Sequence, residues 1–271
     1  MRTTWGAALG RIAGAALGFC LAFGAVTVAQ AANHAYLTGA NEPWDDYSNQ
    51  DAMTGAFGSD WDRLHYGDSF SDYALLYIDG GSLSSFEMID YLNSNRGLLE
   101  NYVLGGGRLF INAGTDLQTD ISLVFGASSG ELIDWDAGFS ASAVDPTSSL
   151  FDGAGTSWDG FYFSQNGLDT PDTFKSLIQD DKGNTVLSGG FFGDGYVMLG
   201  TQTNTTWHSG VNGSDPFQLR VNELLYALNV QPPPVQPTIP EPETYALMVL
   251  GLAGVAFAVR RQRRTAETIA A

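Results

Sequence analysis

Three side chains in this 271-residue sequence have the types and positions needed for acid–base chemistry. Asp79 ends one apolar run, Asp116 follows a second, and His208 comes after Trp207 near the end of a third. Ligand sites of parallel α/β sheets open at the carboxyl edge, so we expect all three residues at one rim. Carboxylates paired there could transfer protons or bind a cation. Loop aspartates more commonly cap turns, and a lone histidine is more often an ordinary polar residue, so a structural role stays open.

Nucleophilic chemistry has less support. The only cysteine is Cys20, inside the apolar N-terminal segment, so the rest of the chain has no thiolate nucleophile and no disulfide. Ser82, Ser84 and Ser85 follow a predicted strand, but no G-x-S-x-G turn surrounds them. We therefore expect the domain to lack catalytic activity.

The charge of the chain restricts its partners. The formal net charge is −18, and within residues 32–230 acidic side chains exceed basic ones by about 21. Such a surface repels nucleic acid and favours divalent cations or cationic partners. No histidine, cysteine or carboxylate spacing predicts a metal centre or a cofactor. Two acidic segments (residues 134–136 and 152–160) leave a structural Ca²⁺ open, although neither keeps the EF-hand register. Aromatic residues beside acidic ones could stack on sugars; these are Trp44, Trp61, Trp158 and Tyr162.

Periodicity predicts an α/β domain over residues 32–230. Apolar runs at 72–79 and 108–112 indicate buried parallel strands, joined by helical spacing over 82–104 with a break at 95–97. Residues 185–188 and 196–201 predict a hairpin around 189–195, and residues 217–228 an amphipathic closing helix. Together these elements predict one domain with a core of its own.

The N-terminus has the features of a secretory signal peptide. Arg2 and Arg11 precede an apolar stretch, and Ala29-Gln30-Ala31 forms an A-x-A cleavage site. Cleavage after Ala31 would remove residues 1–31. Phe19 before Cys20 excludes a lipobox.

The C-terminus repeats this kind of organisation in another order. A Pro-rich linker (231–239) leads to Pro240-Glu241-Pro242, then to an uncharged apolar run at 245–259, and then to a basic cluster. As a helix the run would reach roughly 23 Å, which flanking residues can extend toward a bilayer core of ~30 Å. The arginines that follow favour a cytoplasmic end, with residues 265–271 as a cytoplasmic tail. The basic cluster comprises Arg260, Arg261, Arg263 and Arg264.

This tripartite tail, over 240–264, resembles the PEP-CTERM sorting signal. The resemblance implies a Gram-negative export that uses the secretion machinery and the inner membrane, followed by processing by a membrane enzyme, exosortase. It also implies an exopolysaccharide-producing, biofilm-forming host and a final place in the cell envelope or outside the cell. A plain tail anchor that is never cut remains the alternative.

The domain is more weakly similar to class I glutamine-amidotransferase-like domains of the trehalose-utilisation type. The similarity rests on residues 99–114, which read LENYVLGGGRLFINAG, and on residues 195–228. It implies a three-layer flavodoxin-like fold, but not the family's chemistry, because the catalytic cysteine is missing.

Two functional hypotheses follow from the sequence. The first is an exported, C-terminally sorted envelope or matrix protein with an acidic, non-catalytic binding domain associated with exopolysaccharide. The second is a secreted hydrolase or sugar-acting enzyme that uses Asp79, Asp116 and His208. Convergence of these three residues in an open pocket would favour the second.

Overall fold

The computed structural model describes residues 34–115, 131–133, 138–210 and 214–232, and in the C-terminal tail residues 247, 250–253, 255, 257 and 260. Two compact units are present, residues 1–230 and 231–271. The predicted signal peptide and Pro240-Glu241-Pro242 lie outside the described residues. The described tail residues are helical. A search of the described part of the chain finds no helix with the length and apolarity needed to cross a membrane.

Five parallel strands form one half of a single mixed sheet. They are β1 (His34–Thr38), β2 (Trp61–His65), β3 (Leu75–Asp79), β4 (Arg108–Asn112) and β11 (Gly195–Gly200). Their order is β2-β1-β3-β4-β11. This is the strand order of flavodoxin-like sheets, and the predicted parallel pairing of β3 with β4 is confirmed. Leu76, Ile78 and Phe110 are 0% exposed, as predicted.

Helices cover both faces of the parallel half. Alternate residues of each strand point to opposite faces, which separates two hydrophobic clusters. On one face Leu76 and Ile78 pack with α2 (Ser85–Leu104). On the other face Tyr77 and Phe110 pack with α1 (Ser48–Phe57) and α3 (Pro216–Asn229).

The other half of the sheet is antiparallel and was not predicted. The strands are β5 (Glu131–Ile133), β6 (Gly138–Ala143), β7 (Ser157–Ser164), β8 (Gly167–Asp169), β9 (Lys175–Asp180), β10 (Thr185–Phe192) and β12 (His208–Gly210). They extend the sheet from β11 in the order β10-β9-β6-β7-β12, and β8 pairs with both β10 and β5. The flavodoxin-like prediction therefore holds for the parallel half, and the whole domain is a larger mixed α/β sheet.

Two local predictions need correction. The predicted break at residues 95–97 is wrong, because α2 runs through Gly97 without interruption. A helical glycine costs about 1 kcal/mol, less than the burial of Leu92 and Leu99 on either side provides. The predicted hairpin is confirmed, but its turn is only Gly193-Asp194. Gly189 and Gly190 stay within β10, because Tyr196 and Phe174 occupy the space that their side chains would fill.

Candidate functional site

A cluster of buried polar side chains lies where the parallel strands end. Asp79 closes β3, Asn112 closes β4 and Gln202 follows β11, while α3 contributes Arg220 and Glu223. All five are at most 3% exposed. These five residues are called the buried polar cluster below. Asp79 and Asn112 have the same strand register as Tyr77 and Phe110, so they face α3.

Arg220 is the centre of the cluster. Its Nη1 donates to the Tyr77 hydroxyl and lies 3.5 Å from Asp79 Oδ2. Its Nε lies 2.9 Å from Glu223 Oε2, and its Nη2 donates to Gln202 Oε1 at 3.2 Å. One buried guanidinium thus contacts two carboxylates, a phenol and an amide.

Asp79 has hydrogen bonds at both carboxylate oxygens. Its Oδ2 accepts from the Tyr77 hydroxyl at 2.8 Å and from Asn112 Nδ2 at 2.7 Å. Its Oδ1 accepts from the Gly81 amide at 3.2 Å. Burial raises the pKa of Asp79, and Arg220 opposes that rise. A carboxylate that these donors occupy is not free to act as a base.

Two further bonds join the cluster to the neighbouring strands. Asn112 exchanges hydrogen bonds with the Gln202 backbone at 2.8 and 3.0 Å, and Gln202 Nε2 donates to Glu223 Oε1 at 2.5 Å. Burial raises the pKa of Glu223 as well. With one cation for two carboxyl groups, the cluster holds α3 to the sheet and carries excess negative charge.

His208 lies beside this cluster at the start of β12. Its Nε2 is 2.9 Å from Thr203 Oγ1, and its ring packs 4.9 Å from that of Phe163. Burial, with Arg220 nearby, lowers the pKa of His208 to about 4, so the imidazole is neutral at pH 7. The adjoining cavity measures about 10 Å³, room for no more than one water. The structure thus brings His208 near the partners of Asp79, but in a closed interior, while Asp116 lies outside the described residues.

Sequence reasoning missed Arg220 and Glu223 as the organisers of this cluster. The signal was available, since both lie among buried residues of an amphipathic helix, next to Leu219, Val221 and Leu224. A charged residue on an apolar helix face requires a buried partner. Sequence reasoning also overlooked Ser128, in the G-A-S-S-G string at 126–130, which matches the G-x-S-x-G pattern and lies outside the described residues.

The other sequence candidates are structural or untested. Trp158 is 0% exposed and donates to the Ala154 carbonyl at 3.3 Å, so it cannot stack on a sugar. The Trp44 indole lies over Gly81 at the distance where a side chain would be. Among the described residues there is no group of three potential metal ligands, and a Ca²⁺ site stays a prediction.

Comparison with known proteins gives one family match. Residues 238–264 match the model of the PEP-CTERM protein-sorting motif. The sequence prediction for the tail is thereby confirmed: the chain carries the motif of C-terminally sorted exported proteins, which implies processing by an exosortase. No curated protein matches the chain significantly.

Several solved structures resemble the domain distantly. They include a β-galactosidase from Bacillus circulans sp. alkalophilus, at 13% identity and TM-score 0.46, over 73% of this chain and 30% of that one. A putative GMP synthase protein from Thermoplasma acidophilum matches at 12% and 0.45, over 71% and 94%. A glutamine amidotransferase from Thermotoga maritima matches at 12% and 0.45, over 73% and 96%. This chain thus spans under a third of the β-galactosidase, and at these TM-scores the similarities carry no argument about activity.

Proposed function

We propose that this protein is delivered to the cell envelope or the extracellular matrix as a non-catalytic binding protein associated with exopolysaccharide. The sorting motif at residues 238–264 is the observation that carries this proposal. The proposed route is export through the signal peptide, a stage anchored in the inner membrane by residues 245–259, and processing by an exosortase.

The described part of the tail supports the anchored stage. Its apolar side chains are 63–73% exposed, so no part of the protein buries them. Exposed apolar surface on a helix is stabilised by transfer into lipid. Arg260, also helical, begins the basic cluster that would stay on the cytoplasmic side. The exposed apolar residues are Leu247, Leu250, Leu252, Val255 and Phe257.

The buried polar cluster supports a non-catalytic domain. Asp79 is held by three side chains and one amide, and His208 is buried, neutral at pH 7 and next to a cavity of about 10 Å³. Catalysis requires a carboxylate or imidazole that a substrate can reach. The acidic surface then sets the partners: neutral or cationic polysaccharide directly, and anionic polysaccharide through bridging Ca²⁺.

The route is tested in the native host with the four tail arginines at 260, 261, 263 and 264 replaced by glutamine. We expect weaker membrane retention and altered processing, seen by fractionation and by mass spectrometry of the recovered termini. The control replaces Lys175 and Lys182 of the domain, which also removes positive charge. Wild-type fractionation and termini in the arginine variant would contradict the sorting proposal.

The absence of catalysis is tested on the full-length protein in detergent. We expect glutaminase, protease, esterase and glycosidase turnover at background. Turnover that disappears in His208→Ala or in Ser128→Ala would instead establish the hydrolase hypothesis.

A further inference from the structure

An open groove runs along α2, on the opposite face of the sheet from the buried polar cluster. It consists of two depressions of about 790 and 840 Å³, which share Gly67, Tyr91 and Asn95. One wall is α2, and the other is the segment 65–73 between β2 and β3. Each depression has the volume of a typical small-ligand site, roughly 300–1,000 Å³.

Aromatic rings form the floor of this groove. Tyr66 and Tyr91 stack with their centroids 4.7 Å apart, and Phe70 meets Tyr102 edge-on at 5.6 Å. All four residues line the depressions. Such rings provide flat apolar surfaces on which the C–H faces of a pyranose can pack.

Tyr91 also carries an unsatisfied polar group. It is 6% exposed, lines both depressions, and its buried hydroxyl has no hydrogen-bond partner among the described residues. Burial raises the pKa of Tyr91 to about 12, so the hydroxyl keeps its proton and remains a donor. A buried hydroxyl without a partner is costly, and a bound polar group would remove that cost.

The charged lining is of one sign. Asp68 and Asp72 line one depression, and Glu87 and Asp90 line the other, whereas neither lining includes Lys or Arg. Carboxylates accept hydrogen bonds from sugar hydroxyls and attract ammonium groups, and they repel anions. The lining therefore selects against uronic acids and sulfated sugars.

We infer that this groove binds an oligosaccharide segment of neutral or amino sugars, with the Tyr66 and Tyr91 rings under the sugar faces and the Tyr91 hydroxyl bonded to the ligand. The inference rests on the proposed function, because it names the ligand class of the exported binding domain. Amino sugars should bind more tightly than neutral ones, since the four carboxylates attract their ammonium groups.

Calorimetric titration of the full-length protein in detergent tests the inference, with cellotetraose, the glucosamine tetramer and a tetraguluronate as probes. We expect binding of the first two, with the glucosamine tetramer tighter, and none of the third. Tyr91→Phe should weaken binding roughly 3- to 10-fold without lowering the unfolding temperature, because it removes one hydrogen bond and leaves the ring. The matched control is Tyr47→Phe, which removes an exposed hydroxyl outside the groove.

A second pair of variants tests the charge argument. Asp72→Asn with Asp90→Asn should reduce the preference for the glucosamine tetramer, while Asp51→Asn with Asp172→Asn, outside the groove, should not. Binding of neither neutral nor amino sugar, or equal binding by Tyr91→Phe and the wild type, would overturn the inference. Binding of a lysine-rich peptide but of no sugar would overturn it too. Failure of these titrations with normal export and tail processing refutes this inference alone, whereas mislocalisation refutes the proposed function.

Discussion

Replacing Arg220 by methionine removes the only cation of the buried polar cluster while keeping most of the side-chain volume. Asp79 and Glu223 then remain buried, at 2% and 0% exposure, without a counter-charge. Breaking a buried ion pair from one side costs about 3–5 kcal/mol. For a domain of this size we expect the unfolding temperature to fall by about 6–20 °C at pH 7.5.

The loss should depend on pH with a defined sign. Burial raises the pKa of both Asp79 and Glu223 above their unfolded values, and removing Arg220 raises them further. A carboxyl with a raised folded-state pKa stabilises the fold below its unfolded pKa, and this contribution is lost as the pH rises through the folded pKa. The deficit of Arg220→Met should therefore shrink between pH 7.5 and pH 5, as the two carboxyls take up protons.

Near-UV circular dichroism measures this transition, because Trp158 is buried in the domain core. The control is Arg96→Met, which removes an exposed arginine that lies 3.6 Å from Glu100. An exposed pair contributes about 0–1 kcal/mol, so the control should unfold close to the wild type. If Arg220→Met unfolds with the control, or shows the same deficit at both pH values, the account of the cluster is wrong.

Two more outcomes follow from the core and from His208. Leu76→Ala should destabilise the domain by about 2–5 kcal/mol in denaturant unfolding, and the exposed Leu98→Ala should have little effect; equal effects would contradict the placement of β3 at the centre of the sheet. His208→Gln should lose less stability than the wild type between pH 6.5 and about pH 4, by up to about 3 kcal/mol, because the unfolded histidine takes up a proton there and the folded one does not. His65→Gln, at an exposed site, is the control, and a pH profile unchanged in His208→Gln would show that His208 is not buried neutral.

The parallel half of the fold could be predicted because its signals are local. The run ending at Asp79 and the run at 108–112 are apolar throughout, and a helical pattern with a glycine stop separates them. The antiparallel half could not be predicted in the same way. Strands such as β6 (GFSASA) have weak alternation, and their identity depends on pairing with β7 and β9, far along the chain.

The candidate site shows the same division. Asp79 was placed correctly at the carboxyl end of a core strand, but its chemical state depends on Arg220, 141 residues further along the chain. Ion pairing, burial and the resulting pKa values are properties of that distant contact, so no local pattern specifies them. The groove likewise arises only where α2 and the segment 65–73 meet.

The sequence by itself determined the address of this protein: export at one end, the sorting motif at the other, an acidic domain between them, and no cysteine after Cys20. Such signals are linear, since a short run of charge, apolarity or proline acts where it stands. Tertiary structure alone decided that Asp79 and His208 lie in a closed interior and that the open surface is an aromatic, acidic groove. Reactivity and binding depend on desolvation and on neighbouring charges in space, and only the folded chain brings those neighbours together.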